Sequence, residues 1–249
     1  MRRCTFYRLL TGMLCLVSTM RGFGQVAPVD SSSQQNALNN TVSLFYSSIG
    51  KQSPLYNGIE YNFYDPAIKG NAYYADMNAF TAGSVFYDNI HFKGVPMLYD
   101  IYDDQVVVLL YNHFTKFCLI KDKVNSFDFL DHHFVRIDTV TFLNNPVIKP
   151  GFYDELYVGH LQVLARHSKN IQTSSSGQTS ESYFNYTKDY FIRKNNIYYS
   201  FSGQGALLDI LKDKKKEIKK YLKENDIRYH TNPEEAMVKI ASYYDHLTN

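Results

Sequence analysis

The chain carries 249 residues, with 26 Lys and Arg against 24 Asp and Glu, 22 Tyr, 17 Phe, no Trp and three Cys. So balanced a charge excludes the global basic footprint of a nucleic-acid-binding protein. Three cysteines are too few for a disulfide framework, so stability must come from an apolar core, for which length and aromatic content suffice.

The amino terminus reads Met1-Arg2-Arg3, then an apolar run from Leu9 to Val17, then Gly22-Phe23-Gly24 before Gln25. Charge, a short apolar segment and small residues two apart predict a secretory signal peptide over residues 1–24. The run is shorter than the about 20 residues that cross a bilayer as a helix, so the mature chain is expected to have no transmembrane segment and to reside in the periplasm or at the cell surface. Cys15 follows Leu14 inside the apolar run, which is not a lipid-attachment pattern. Cleavage removes four arginines and no acid, leaving 22 basic against 24 acidic residues and a net charge of −2. Cys4 and Cys15 leave with the signal, and Cys118, flanked by Phe117, Leu119 and Ile120, is predicted to be a buried apolar thiol.

Residues 25–40 are polar and read as a flexible lead-in to one β-rich domain over 41–249. Val42, Leu44, Phe45 and Ile49 suit a short helix or a strand equally. In Leu55-Tyr56-Asn57-Gly58-Ile59-Glu60-Tyr61 the Asn-Gly pair predicts a tight turn that sets Tyr56 and Tyr61 on adjoining segments. Glu60 is placed to bond a neighbouring backbone or a Tyr hydroxyl, which makes the group a structural knot.

From residue 72 to about 140, apolar bursts alternate with turn signals at Asp88-Asn89, Asp103-Asp104, Asn112-His113 and Lys121-Asp122, the rhythm of a β-meander. Val106-Val107-Val108-Leu109-Leu110 lacks polar alternation and predicts a strand covered on both faces. A linker at Asn144-Asn145-Pro146 and Pro150-Gly151 precedes strands at Tyr153–Val158, Leu161–Arg166, Tyr183–Asn185 and Tyr190–Tyr199, the last turned at Asn195-Asn196. Residues 172–181, rich in Ser, Thr and Gly, are expected to form a mobile loop tip. Leu207, Leu208, Leu211, Ile218 and Leu222 then fall at helical spacing and predict a helix over about 205–225. Asn232 as cap, Pro233 and Glu234-Glu235 predict a second over about 233–247. The fold class is mainly β (α+β): an antiparallel β-meander curled into a partial barrel or sandwich, with a C-terminal helical hairpin.

Few segments carry chemistry. Lys214, Lys215, Lys216, Lys219 and Lys220 form a candidate surface for an anionic lipid or polyanion, although Asp213, Glu217 and Glu224 interrupt the run as on an ordinary solvated helix face. His132-His133 beside Asp131 and Asp128 has metal-ligand residue types, but neighbours on a strand point to opposite faces, which favours a hairpin tip. Asp100, Asp103 and Asp104 read as turn residues, and Ser202-Gly203-Gln204-Gly205 as a helix-start turn without the spacing of a phosphate loop. No GxSxG elbow is present. No catalytic, cofactor-binding or metal residue is assigned and no cofactor is expected. The abundance of Tyr and Phe admits sugar stacking as well as core packing.

The motifs Leu55–Tyr61, Gly83-Ser84-Val85-Phe86-Tyr87 and Val95-Pro96-Met97-Leu98-Tyr99-Asp100, with Gly151-Phe152-Tyr153, Leu156-Tyr157-Val158-Gly159 and Tyr243-Tyr244-Asp245, resemble an uncharacterised family of exported proteins of Bacteroidota-type bacteria. The resemblance spans nearly all of the mature chain and implies no activity, cofactor or site. The functional expectation is therefore an exported, non-catalytic envelope protein that binds a protein or another envelope component. The alternatives are a carbohydrate-binding module or glycan-acting enzyme, and an anionic-lipid or polyanion binder through the lysine helix.

Overall fold

Turn chemistry fixes the strand boundaries. In the computed structural model Asp88-Asn89, Leu130-Asp131 and Asn195-Asn196 each take two successive left-handed conformations, with φ between 51° and 63°. That is the backbone of the two-residue hairpin whose twist matches its strands. Asp and Asn tolerate it because their short polar side chains bond locally. The structure describes residues 53–138, 147–176 and 179–248, with six positions between 37 and 48. The predicted signal peptide, most of the lead-in, the Asn144-Asn145-Pro146 linker and Gly177-Gln178 lie outside the described residues. Contacts divide the chain into Met1–Asn40 and Thr41–Asn249. The sheet and its covering helices belong to the second unit, at whose start Thr41, Leu44, Phe45 and Ser48 are helical and exposed.

The strands among the described residues are β1 (Ile59–Glu60), β2 (Thr81–Tyr87), β3 (Ile90–Asp100), β4 (Gln105–Leu109), β5 (Lys116–Cys118), β6 (Val124–Phe129), β7 (His132–Ile137), β8 (Gly151–Val158), β9 (Gln162–Ser176), β10 (Thr179–Lys194) and β11 (Ile197–Phe201). They form one open antiparallel sheet in the order β1-β5-β4-β3-β2-β6-β7-β8-β9-β10-β11. Two meanders therefore grow outward from the β2–β6 seam. A sheet this wide curls. The curl brings the β3–β4 turn across to β8 and β9: Asp104 accepts from the Phe152 amide at 3.3 Å, and the Lys169 amide donates to the Ile101 carbonyl at 3.1 Å.

Alternation places Val85, Tyr87, Met97, Tyr99, Val106, Val108, Phe127, Phe129, Phe134 and Phe152 on the concave face, where they form an aromatic cluster with Leu55 and Tyr74. Phe127 stacks on Phe134 at 4.8 Å, and Tyr99 meets both edge-on at 5.0 Å. On the other face, Leu98, Val107 and Cys118 pack against Tyr61, Ala72 and Tyr73, so the valine run is covered on both sides.

Helices α1 (Gln204–Ile210), α2 (Lys215–Glu224) and α3 (Pro233–Thr248) cover the concave face of the second meander. Asn232 and Glu235 cap α3 reciprocally, the Asn232 carboxamide oxygen accepting the Glu235 amide at 3.3 Å and its NH2 donating to Glu235 at 3.0 Å. The single helix expected over 205–225 is broken by a 3-10 turn at Lys212–Lys214. There Asp213 accepts from Lys194 at 2.5 Å and from the Tyr244 hydroxyl at 2.8 Å, tertiary bonds that the helical spacing does not encode.

The expected mobile tip at 172–181 is instead ladder: Gln172–Ser176 pair with residues 179–183 as the distal part of the β9–β10 ribbon. Mutual backbone bonding and cross-strand polar pairs, Thr173 with Ser182 at 3.1 Å and Tyr183 with Gln172 at 3.0 Å, replace the missing apolar contacts. Likewise Tyr183–Asn185 and Tyr190–Lys194 belong to one continuous strand, β10.

Candidate functional site

Between the aromatic cluster and the helices, the concave face of β7–β10 carries a polar band. Its members follow from the pleat: His132 and Phe134 on β7, Phe152 and Asp154 on β8, Ala165, His167 and Lys169 on β9, and Tyr186, Lys188 and Tyr190 on β10 share one face. The Asp154 carboxylate and the His167 imidazole are each 2% exposed. Such groups are costly to bury without partners. Asp154 receives His132 Nδ1 at 2.7 Å and His167 Nε2 at 3.4 Å, and the other ring nitrogen of His167 meets the Tyr186 hydroxyl at 2.7 Å.

Proton positions follow from the charges. Burial alone would raise the Asp154 carboxyl, but the two imidazole hydrogen bonds outweigh it and hold the pKa below the usual carboxylate value. An ionised Asp154 accepts only, so both imidazoles present N–H to it. Neutral His167, its pKa depressed by burial, then accepts at Nδ1, and Tyr186 donates. The hydrogen bond to Asp154 raises the pKa of His132. Burial, followed by the carboxylates of Glu234 and Asp154, pushes the Tyr186 phenol up to about 12. Tyr186 thus keeps its proton near neutrality, and the chain of bonds works as a fixed scaffold rather than a source of phenolate.

The band opens onto a 310 Å3 cavity lined by Tyr74, Ala75, Asp76, His167, Lys169, Tyr186 and Lys188. Lys169 builds the opposite wall: its ammonium, 4% exposed, donates to the Asn71 and Tyr73 carbonyls at 2.9 and 2.8 Å and to Asp76 at 2.6 Å. It fastens a strap in which Ala75 and Asp76 are both left-handed, φ 52° and 54°, a conformation that costs an L-residue about 1–2 kcal/mol. At the helix side Glu234 accepts from Lys188 at 2.7 Å and from Tyr190 at 3.1 Å.

Tyr74 stands apart. It is 6% exposed and packed edge-on against His167 at 4.8 Å and Phe134 at 5.1 Å, yet its hydroxyl makes no hydrogen bond to any described residue. Among the described residues no sealed side-chain polar atom lacks a partner, so this hydroxyl opens onto the cavity. The arrangement offers an open hydroxyl, the spare donors of Lys188, carboxylates at Asp76 and Glu234, and the rings of Tyr74 and Tyr186.

The residues singled out from sequence lie elsewhere. Lys215 pairs with Asp209, and Lys220 with Glu224 at 3.7 Å, Lys214 is half-buried, and Lys216 and Lys219 are exposed. Of the five, Lys219 alone lines a described cavity, one of 480 Å3 between α1 and α2, and the others do not converge on it. The Tyr56 to Tyr61 group sits at the β1–β5 end as a packing junction. Asn57 accepts from Tyr87 at 2.7 Å, Tyr56 packs on Phe117 at 6.4 Å, and Tyr61 donates to Asp100 at 2.9 Å. A β-carbon at Gly58 would collide with the Cys118 carbonyl oxygen. Glu60 is exposed and joins the sheet through its backbone opposite Phe117.

His132 and His133 diverge, the first to Asp154 and the second to Asp128 at 2.6 Å, and the hairpin tip is Leu130-Asp131. Among the described residues no group of three or more His, Cys, Asp or Glu is placed to hold a metal ion. Asp100 is fully buried and takes the Tyr61 and Tyr64 hydroxyls and the Tyr102 and Asp103 amides, while Asp104 takes Tyr99 and Lys121. Cys118 is buried, and burial pushes its thiol up to about 11.

Sequence reasoning missed Tyr74, Asp154, His167, Lys169, Tyr186 and Lys188. The one local signal is in β9, where the inward row Val163, Ala165, His167, Lys169 turns from apolar to ionisable while still alternating. Among the described residues no helix is long and apolar enough to cross a membrane. No protein-family model, no curated protein and no solved structure matches this chain.

Proposed function

We propose that this protein acts by binding in the cell envelope, and that the cavity beside Tyr74 receives a small polyhydroxylated ligand of about one sugar ring. The observation that carries this reading is the Tyr74 hydroxyl, which opens onto a cavity whose other polar groups are already oriented by protein bonds. A cavity-facing hydroxyl without a protein partner is satisfied by a water or a ligand. The volume of 310 Å3 lies at the small end of ligand pockets, about 300–1,000 Å3, which suits a ring and not a chain. A carboxylate, two amines and two phenol rings in one lining match a ligand with both donors and acceptors around an apolar face.

The test is calorimetry or ligand-observed NMR of the secreted protein against a panel of neutral and acidic monosaccharides, with Tyr74→Phe and Lys188→Gln beside the wild type. The expected result is binding by one or more sugars that weakens in both variants. Silence across the panel, or affinity indifferent to both substitutions, refutes the assignment. Export itself is tested by fractionating cells: a full-length cytosolic product removes the envelope from the proposal.

A further inference from the structure

The opposite face of the same ribbon holds a larger trough, 650 Å3, with Lys149, Arg166, Asp189, Phe191, Ser200 and Ser202 among its lining residues. Arg166 and Asp189 sit directly across β9 and β10, the place where opposite charges ordinarily pair. They do not pair. The Arg166 guanidinium lies 5.4 Å from the Tyr153 ring centroid and donates to the Tyr153 hydroxyl at 3.2 Å and the Pro150 carbonyl at 3.4 Å. Among the described residues the Asp189 carboxylate is left with no partner, as are the Lys149 ammonium and the hydroxyls of Ser200 and Ser202. Phe191, 7% exposed, forms part of the floor.

We propose that this trough is a second binding site, for the interior of an acidic glycan chain with a uronate-type carboxylate. A free carboxylate such as Asp189 accepts from two neighbouring sugar hydroxyls at once. Lys149 and Arg166 leave one positive charge beyond Asp189, which a uronate matches. Phe191 meets the C–H face of a ring, and the serines supply neutral donors and acceptors. A neutral glycan would leave the excess cation unmatched. The larger volume suits more than one ring. The site does not rest on the cavity reading, because none of its lining residues lines the cavity beside Tyr74.

The experiment is titration calorimetry of the full chain with trigalacturonate and, as the neutral match in length, maltotriose. The expected result is binding of trigalacturonate at least about tenfold tighter than maltotriose, weakened severalfold between about 50 and about 500 mM salt. Asp189→Ala and Lys149→Ala should each weaken it about three- to tenfold, with Tyr74→Phe unchanged. Neither substituted side chain has a partner among the described residues, and unchanged far-UV circular dichroism confirms that the variants fold. Equal or absent binding of the two trisaccharides overturns the proposal. Retention of full affinity in Asp189→Ala, or loss of it in Tyr74→Phe, also overturns it.

Discussion

Replacing Lys169 by Met would remove the ammonium that fastens the 71–76 strap while keeping the length and apolar stem of the side chain. The wild-type ammonium makes three short bonds, to the Asn71 and Tyr73 carbonyls and to Asp76. Hydrogen bonds to a charged group contribute about 1.5–3 kcal/mol each, but Met no longer has to desolvate an ammonium, a cost of several kcal/mol. The Asp76 side chain is 81% exposed and resolvates easily, so the loss falls mainly on the two carbonyls. A net destabilisation of about 2–3 kcal/mol is expected, large against an ordinary total of about 5–15 kcal/mol. The untethered left-handed pair Ala75-Asp76 should then relax. Urea unfolding followed by far-UV circular dichroism measures the first effect, and hydrogen exchange at the 75–77 amides the second. A variant within about 0.5 kcal/mol of wild type, with exchange unchanged, would refute the view that this lysine acts as the built-in cation of the cavity wall.

Other substitutions probe separate joints. Asp245, 6% exposed, ties α3 to the β8–β9 turn by accepting from Tyr157 at 3.0 Å, His160 at 2.7 Å and Leu161 at 3.1 Å. Asp245→Ala should cost about 3–5 kcal/mol in urea unfolding because several donors lose one acceptor, and a cost below about 1 kcal/mol would contradict it. Gly58→Ala should destabilise through the clash with the Cys118 carbonyl, read as a lowered Tm; an unchanged Tm would count against the close approach. In an NMR titration His132 should protonate above the ordinary imidazole value of about 6.5 and His167 below it. The stability that His132 adds is accordingly present below about pH 6.5 and lost as pH rises through its elevated pKa. His167 works in the opposite sense, destabilising the fold as pH falls from about 6.5 through its depressed pKa; the reverse order of titration would break the proton assignment.

Local chemistry made much of the architecture legible. Asp88-Asn89 and Asn195-Asn196 announce their turns because few residue pairs accept two left-handed conformations in succession. Val106–Val108 reads as doubly covered because nothing polar interrupts it, and Asn232 to Glu235 announces a helix start. Reading failed where a partner from elsewhere decided the outcome. The 172–181 stretch looks like loop by composition, yet pairing with itself satisfies its backbone. The helix over 205–225 looks continuous, yet Lys194 and Tyr244 hold Asp213 at the break. Leu130-Asp131 lacks the usual turn pair, so residue types alone point to the adjacent histidines as the tip.

The candidate site was illegible for a plainer reason. Tyr74, Asp154, His167 and Tyr186 span more than a hundred positions of sequence, and no spacing rule links residues that meet only across β8, β9, β10 and a strap from before β2. The sequence by itself determined alternation, turns and helix starts, because these depend on a residue and its near neighbours. Which polar residues are buried together, and which charges are left unpaired, was decided by the curl of the sheet and the register of its strands. Those are set by the sum of many long-range contacts, and no short segment records that sum.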